Sequence, residues 1–124
     1  MMRRSLAVLC LALSAVLAVA ASSTRWAHVP AKDHARTNPV AGQAEARAAG
    51  ALLYRDHCLQ CHKANAMGDG HKKPPLRSAR MQSLSDGDIE WFLRQGDLGG
   101  GMPSWSSLPE AQRWQLVAYL RSIQ

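Results

Sequence analysis

Cys58-Leu59-Gln60-Cys61-His62 is the stretch that decides the fold of this chain. Two cysteines three positions apart, followed directly by a histidine, form the C-x-x-C-H pattern of covalent haem attachment. Thiols one helical turn apart can each form a thioether bond with one of the two vinyl groups of a haem. The adjacent imidazole is then placed to coordinate the iron. The stretch therefore predicts haem c bound through Cys58 and Cys61, with His62 as the proximal iron ligand.

The same cysteines are compatible with two other kinds of site. A structural zinc site needs four ligands from cysteine and histidine, and Cys58 and Cys61 would need two of His57, His62 and His71 to complete it. A disulfide or a thioredoxin-like redox pair would be expected within a βαβ pattern, which the surrounding sequence lacks. Both are weaker than the haem reading, because the complete five-residue pattern rarely arises by chance in a chain of this length.

The chain begins with a predicted leader. Arg3 and Arg4 precede an apolar run over residues 6–21, which is broken only by Ser14 and contains small residues suited to cleavage. This is the pattern of a secretory signal peptide over residues 1–20, so we expect export to a bacterial periplasm. The alternative is a retained membrane anchor, although the run is short for the about twenty apolar residues that span a bilayer. Cys10 lies inside the run and is interpreted as part of the leader.

Length and charge restrict the remaining possibilities. The chain of 124 residues has room for one small domain, and it carries 15 Lys and Arg against 9 Asp and Glu. Loss of the leader would remove Arg3 and Arg4 and lower the formal charge by two. A basic balance by itself does not indicate nucleic-acid binding, and no nucleic-acid-binding module is present. An apolar porphyrin would enlarge the small core that such a domain can build.

The first half of the predicted domain contains one long helix. Residues 21–41 are rich in alanine and polar residues and contain two prolines, which predicts a flexible extension. From about Gln43 the apolar side chains recur at helical spacing up to the first cysteine. Gly50 lies in the middle of this helix, where glycine costs about 1 kcal/mol relative to alanine. We therefore expect a second helix to approach closely at Gly50.

Two capping-box patterns mark later helices. The stretch over residues 85–88 reads Ser-Asp-Gly-Asp, which predicts the start of a helix that ends at Gly96. The stretch over residues 107–110 reads Ser-Leu-Pro-Glu and predicts the start of a last helix that runs to the end of the chain. Apolar residues cover more than one face of that last helix, so it should be packed on two sides. Residues 77–84 are expected to be a loop or a short helix.

Met102 is the predicted second iron ligand. It follows three glycines and precedes Pro103. The glycines allow the backbone to lie close to a flat ligand, and the proline restricts the direction of the chain after Met102. A thioether opposite an imidazole is the axial pair that favours ferrous iron and raises the potential. Met67 and Met81 are the rival thioethers. Pro74, in the loop after His62, is predicted to accept a hydrogen bond from His62 through its carbonyl.

Residues 42–124 resemble the class I c-type cytochromes, including small bacterial ones and the haem domains of oxidase and dehydrogenase subunits. The resemblance rests on the attachment motif and on four short stretches, one of which is the methionine loop: Gly50-x-x-x-Tyr54, Pro74-x-Leu76, Gly101-Met102-Pro103 and Leu116-Val117-Ala118-Tyr119-Leu120. It implies an all-α cytochrome c fold with three to four helices around the haem. It also implies that Gly50 and Tyr54 meet the helix that carries Tyr119 and Leu120.

The expected function is that of a soluble periplasmic monohaem electron carrier, a monomer without intrinsic catalysis or stable membrane insertion. Its partners would be redox proteins such as a dehydrogenase, an oxidase or another cytochrome. One alternative is a haem subunit of a dehydrogenase or oxidase complex, and another is a ligand-binding or peroxidatic haem protein with a labile Met102. Five basic residues could form a rim that steers an acidic partner: Lys63, Lys72, Lys73, Arg77 and Arg80.

Overall fold

The structure is a computed structural model that describes residues 28–124, so the predicted leader, with Cys10, lies outside the described residues. Residues 31–124 form one compact unit. Its helices are α1 (Ala31–His34), α2 (Ala44–His57), α3 (Leu59–His62), α4 (Ala79–Ser83), α5 (Asp86–Gln95) and α6 (Glu110–Ser122), with a 3-10 turn at Leu98–Gly100. An isolated bridge joins Asp97 and Met102. The predicted all-α fold is confirmed.

Helices α2 and α6 cross in direct contact. A Cβ atom on Gly50 would overlap the carbonyl oxygen of Gln115 in α6, so only glycine allows the two backbones to come this close. One turn further along α2, the rings of Tyr54 and Tyr119 lie 5.3 Å apart between their centroids. The close approach predicted at Gly50, and its meeting with the helix of Tyr119, are both present.

Helix α5 begins and ends where its sequence signals predict. The Ser85 hydroxyl accepts a hydrogen bond from the Asp88 amide at 3.0 Å, and the Asp88 carboxylate accepts one from the Ser85 amide at 2.8 Å. This capping box satisfies two amides that have no partner within the helix. The helix ends at Gly96, whose φ of 70° lies in the region that favours glycine.

Helix α6 does not begin with the capping box predicted at Ser107. Its N-cap is Pro109, with φ −52° and ψ 145°, and no side chain caps the helix. Glu110 is consequently the first residue of the helix. A capping box needs the acidic side chain at the third helical residue, so the Glu110 carboxylate does not complete one. That carboxylate accepts a hydrogen bond from Trp114 Nε1 at 3.1 Å and pairs with Arg36. The prediction for residues 107–110 was therefore wrong about the cap, although right about the helix.

The N-terminal strap, residues 31–41, is ordered and packs on the domain, in contrast to the flexible extension predicted there. The carbonyl oxygen of Asp33 lies where a Cβ atom of Gly87 would be, so α1 lies directly against α5. The Asn38 side chain donates to the carbonyl oxygen of Trp114 in α6 at 3.0 Å. Buried polar contacts of this kind fix the strap even though its sequence has no helical period.

A buried carboxylate joins the strap to two helices. Glu90 on α5 is fully buried at 0% exposure. It accepts from Arg113 Nε of α6 at 2.7 Å and from Arg36 of the strap at 3.1 Å. A second pair, between Asp33 and Arg94, spans 2.6 Å between the strap and α5. A buried charge is tolerated only when it is paired and hydrogen-bonded, as Glu90 is.

The apolar core lies between α2, α4, α5 and α6 and the loop after His62. Its buried members include residues from each of these segments: Tyr54, Ala66, Met81, Ile89, Leu93, Trp114, Leu116, Val117 and Leu120. Within residues 28–124, each helix is too short or too polar to span a lipid bilayer.

Candidate functional site

The two cysteines lie on one turn at the end of α2. Cys58 ends this helix, with its amide donating to Tyr54 at 2.8 Å, and its own carbonyl accepts from the amides of Cys61 and His62 at 3.2 and 2.9 Å. This places both thiols and the imidazole on one short helical turn. The thiols of Cys58 and Cys61 are free and half-buried. Burial, with a smaller effect of neighbouring Cys61, raises the pKa of Cys58 to about 11, and this penalty on ionisation disappears once the sulfur is a thioether.

His62 is buried and held at one ring nitrogen. Its Nδ1 lies 3.3 Å from the carbonyl oxygen of Pro74, which is the pairing expected from the sequence. Burial lowers the pKa of His62 and outweighs the opposing effect of the Pro74 bond. The neutral imidazole is the form that binds iron. A hydrogen bond from Nδ1 to Pro74 fixes the tautomer in which the lone pair on Nε2 is available to a metal.

The loop after His62 is folded back on the attachment turn. The amide of Gly68 donates to the His62 carbonyl at 3.0 Å, and the amide of Leu76 donates to the Ala66 carbonyl at 2.7 Å. The Asp69 carboxylate accepts from the amides of His71 and Lys73, at 2.9 and 3.0 Å. These bonds close the loop and bring the Pro74 carbonyl back to the ring of His62.

Met102 is presented by a second closed loop. The Met102 amide donates to the Asp97 carbonyl at 2.8 Å, and the Asp97 amide donates to the Met102 carbonyl at 2.9 Å. This bridge holds the two ends of the glycine-rich segment together. Met102 is half-buried and packs against the core, while rival Met81 lies inside the core and Met67 is 43% exposed. The Lys73 ammonium lies 3.6 Å from the position of a Cβ atom on Gly101, so the His62 loop and the Met102 loop meet.

Two contacts next to the site were not expected from the sequence. The Tyr54 hydroxyl donates to the carbonyl oxygen of Lys63 at 2.7 Å. The His57 ring packs on Trp105, with centroids 4.9 Å apart. A tyrosine one turn before the first cysteine, on the buried face of a helix, needs a partner for its hydroxyl. This requirement could have predicted the Tyr54 hydrogen bond from the sequence. No feature of the sequence predicts the contact between His57 and Trp105.

The zinc alternative finds no set of ligands in this structure. Within residues 28–124, no group of three or more His, Cys, Asp or Glu side chains is placed to hold a metal ion. The donors that do share one turn are two thiols and a buried imidazole. Two thioether-forming sulfurs beside a neutral nitrogen ligand are the chemistry of a haem c site, so the residues present fit that group.

The helical fold and this donor set define a c-type cytochrome domain. Residues 45–120 match the family described as cytochrome c oxidase, cbb3-type, subunit III, and the chain belongs to this family. Comparisons with curated proteins and with solved structures gave no match. A c-type cytochrome domain binds haem c, with its iron, covalently, and Cys58 and Cys61 have the spacing for the two bonds. Such a domain carries electrons and is not in itself a catalytic enzyme.

Proposed function

We propose that this chain is a periplasmic monohaem electron carrier in which His62 and Met102 are the axial iron ligands. It would pass single electrons between redox partner proteins. The observation that carries the proposal is the attachment turn itself, where a buried neutral His62 next to Cys58 and Cys61 is held at Nδ1 by Pro74. Membership in a cytochrome family supports the electron-transfer role.

Each part of the site has a distinct task in this proposal. The bound haem c supplies a one-electron ferric–ferrous couple. Cys58 and Cys61 hold the porphyrin, Pro74 fixes the His62 ring, and the Asp97–Met102 bridge limits the movement of the thioether. Ligands that are already positioned before and after the electron moves keep the reorganisation small. The apolar core that packs against Cys58 and Met102 would limit the access of water to the bound group.

The family description favours a second candidate. A protein named as subunit III of a cbb3-type oxidase works within a complex, so this chain could be a haem subunit that feeds electrons to a larger oxidase. The site chemistry is the same in both cases, and the difference lies in whether the partner stays bound. Co-purification of the mature chain with an oxidase core would favour the subunit, and a chain that purifies alone and exchanges electrons on encounter would favour the carrier.

Charge on the loop side of the site supports an acidic partner. The five residues of the basic rim follow the attachment turn, and all but the half-buried Lys73 are exposed: Lys63, Lys72, Lys73, Arg77 and Arg80. Exposed charges of one sign near a redox centre accelerate encounter with an oppositely charged protein. The proposed partners are therefore redox proteins with an acidic docking face.

The central experiment replaces each candidate thioether in the haem-loaded protein. Met102→Leu should lower the midpoint potential by roughly 100 mV or more, since axial ligands set haem potentials over about 0.8 V, and should let carbon monoxide bind the reduced iron. Met81→Leu and Met67→Leu are controls that preserve volume and should leave both properties unchanged. The measurements are a redox titration and reduced-state spectra.

Each other outcome has a definite meaning. If Met81→Leu and not Met102→Leu opens the iron, Met81 is the ligand and the proposed axial pair is wrong. Carbon monoxide binding by the unaltered reduced protein at neutral pH would support the ligand-binding or peroxidatic alternative. A mass of the exported chain without an added porphyrin would overturn the proposal as a whole.

A further inference from the structure

We infer that Tyr54 is a positioning residue for His62, acting through the carbonyl of Lys63. The inference rests on the proposed role of His62 as an iron ligand. Tyr54 lies on α2, one turn before the first cysteine, and only 3% of its surface is exposed. Its hydroxyl donates to the Lys63 carbonyl oxygen at 2.7 Å. That carbonyl belongs to the residue directly after His62, so the bond reaches across the attachment turn.

The Tyr54 hydroxyl remains a donor over the accessible pH range. Burial, followed by the neighbouring Cys58 and Tyr119, raises the pKa of Tyr54 to about 12. Tyr119 packs against the same ring, but its own hydroxyl makes no hydrogen bond within the described residues. Of the two phenols at the helix crossing, only that of Tyr54 is thus tied to the attachment turn.

Lys63 needs such a bond because its backbone is strained. It has φ 67° and ψ 166°, and Ala66 has φ 58°, so two residues other than glycine adopt positive φ within four positions. Conformations of this kind persist when surrounding contacts hold them in place. The Lys63 carbonyl accepts from Tyr54 on one side and from the Ala66 amide, at 3.1 Å, on the other.

The strained turn at Lys63–Ala66 also affects the hydrogen bond between His62 and Pro74. Ala66 accepts from the amide of Leu76 at 2.7 Å, which fixes the far end of the loop two residues after Pro74. The Pro74 carbonyl lies 3.3 Å from His62 Nδ1. A shift of the Lys63–Ala66 turn therefore moves both the backbone that carries the imidazole and the carbonyl that orients it. Tyr54 connects this arrangement to the rigid crossing of α2 and α6.

The test compares two phenylalanine variants of the haem-loaded protein that differ only in which hydroxyl is lost. Tyr54→Phe should speed hydrogen exchange at the amides of Ala66 and Gly68 by about tenfold. It should also raise the midpoint potential by about 30 mV, a threefold change in the one-electron equilibrium at 59 mV per tenfold, because a looser Pro74 bond makes the imidazole a weaker electron donor. Tyr119→Phe should change neither quantity.

The outcomes separate this inference from the proposed function. If Tyr54→Phe matches the unaltered protein in potential, the positioning role is wrong even when amide exchange is faster, because the hydroxyl then stabilises only the loop. Equal shifts in both variants would also overturn it, since they would indicate ring packing. The hyperfine-shifted NMR signals of the imidazole show whether His62 binds the iron. If the unaltered protein lacks these signals, the proposed axial pair is wrong.

Discussion

At Gly50 a single missing side chain determines how closely two helices approach. The α2 backbone lies against the Gln115 carbonyl of α6, and the Cβ atom of Tyr119 would be 2.8 Å from a Cβ atom on residue 50. Backbone atoms cannot rotate out of the way as the end of a long side chain can. The attachment turn follows at the end of the same helix, so the fit at Gly50 also sets the position of the haem-binding cysteines.

We expect Gly50→Ala to destabilise the haem-loaded protein by about 1 kcal/mol or more. Overpacking at a close contact costs about 1–3 kcal/mol or more, whereas alanine gains about 1 kcal/mol in helix propensity, and the steric term should prevail. The free energy of unfolding in urea, followed by circular dichroism, measures the difference. Ala48→Ser, at an exposed position of the same helix, is the control and should stay within about 0.5 kcal/mol. A stabilised Gly50→Ala protein would show that the crossing can open without cost.

Among the elements, α5 and α6 begin in different ways despite similar sequence signals. Ser85 caps α5 and its hydroxyl also donates to the His34 carbonyl of the strap at 2.8 Å. Ser107 lies ahead of α6 and caps nothing, since Pro109 takes the N-cap position. The proline fixes its own φ and delays the start of the helix. A motif therefore predicts that a helix starts nearby more securely than it predicts which residue caps it.

The two serines form a matched pair for experiment. Ser85→Ala should lower the free energy of unfolding by about 1–2 kcal/mol because it removes a cap and a bond to the strap. Ser107→Ala, at an exposed position, should change it by less than about 0.5 kcal/mol. Thermal and urea unfolding of the haem-loaded variants would measure both. Equal losses would indicate that Ser107 caps α6 in solution, as its sequence suggests.

For the molecule as a whole, the strap extends the ordered domain beyond the matched family region. The family match begins at residue 45, whereas α1 (Ala31–His34), in the strap, already contacts α5. Arg36 is the main link, since it pairs with buried Glu90 and with Glu110 and lies 5.0 Å from the Trp114 ring. The strap therefore stabilises α5 and α6 through contacts that do not involve the haem-binding turn.

Arg36→Ala should destabilise the protein by about 2 kcal/mol, because hydrogen bonds to a charged group contribute about 1.5–3 kcal/mol and Glu90 retains Arg113. Arg55→Ala is the matched control: it removes an arginine from an exposed pair with Asp56, where 62% and 52% of the two side chains are accessible. Exposed pairs contribute about 0–1 kcal/mol. Urea unfolding measures both. If both variants lose the same free energy of unfolding, the strap is frayed in solution, as expected for the flexible extension that the sequence predicts.

Local signals explain which parts of this molecule could be predicted. Three signals act within a few residues, so the sequence reveals them: the attachment motif, the capping box at Ser85 and the stop at Gly96. Gly50 is also visible in the sequence, because glycine is unfavourable within a helix, although the residues it contacts are distant. The strap and the burial of Glu90 could not be found in this way. Arg36 and Glu90 are 54 positions apart, and a charged residue in a helix ordinarily faces water. Their pairing depends on the tertiary fold.

The crossing of α2 and α6 joins two segments that are distant in the sequence, and this has a consequence for the order of events during folding. Contacts between distant segments form late, since the intervening chain must first be ordered. Gln115 and Tyr119 lie far along the sequence from the attachment turn at Cys58. Until α6 docks on α2, the turn bearing the thiols lacks this support. We therefore expect the haem to be attached to Cys58 and Cys61 before α6 docks on α2. Docking of α6 would then complete the folded domain.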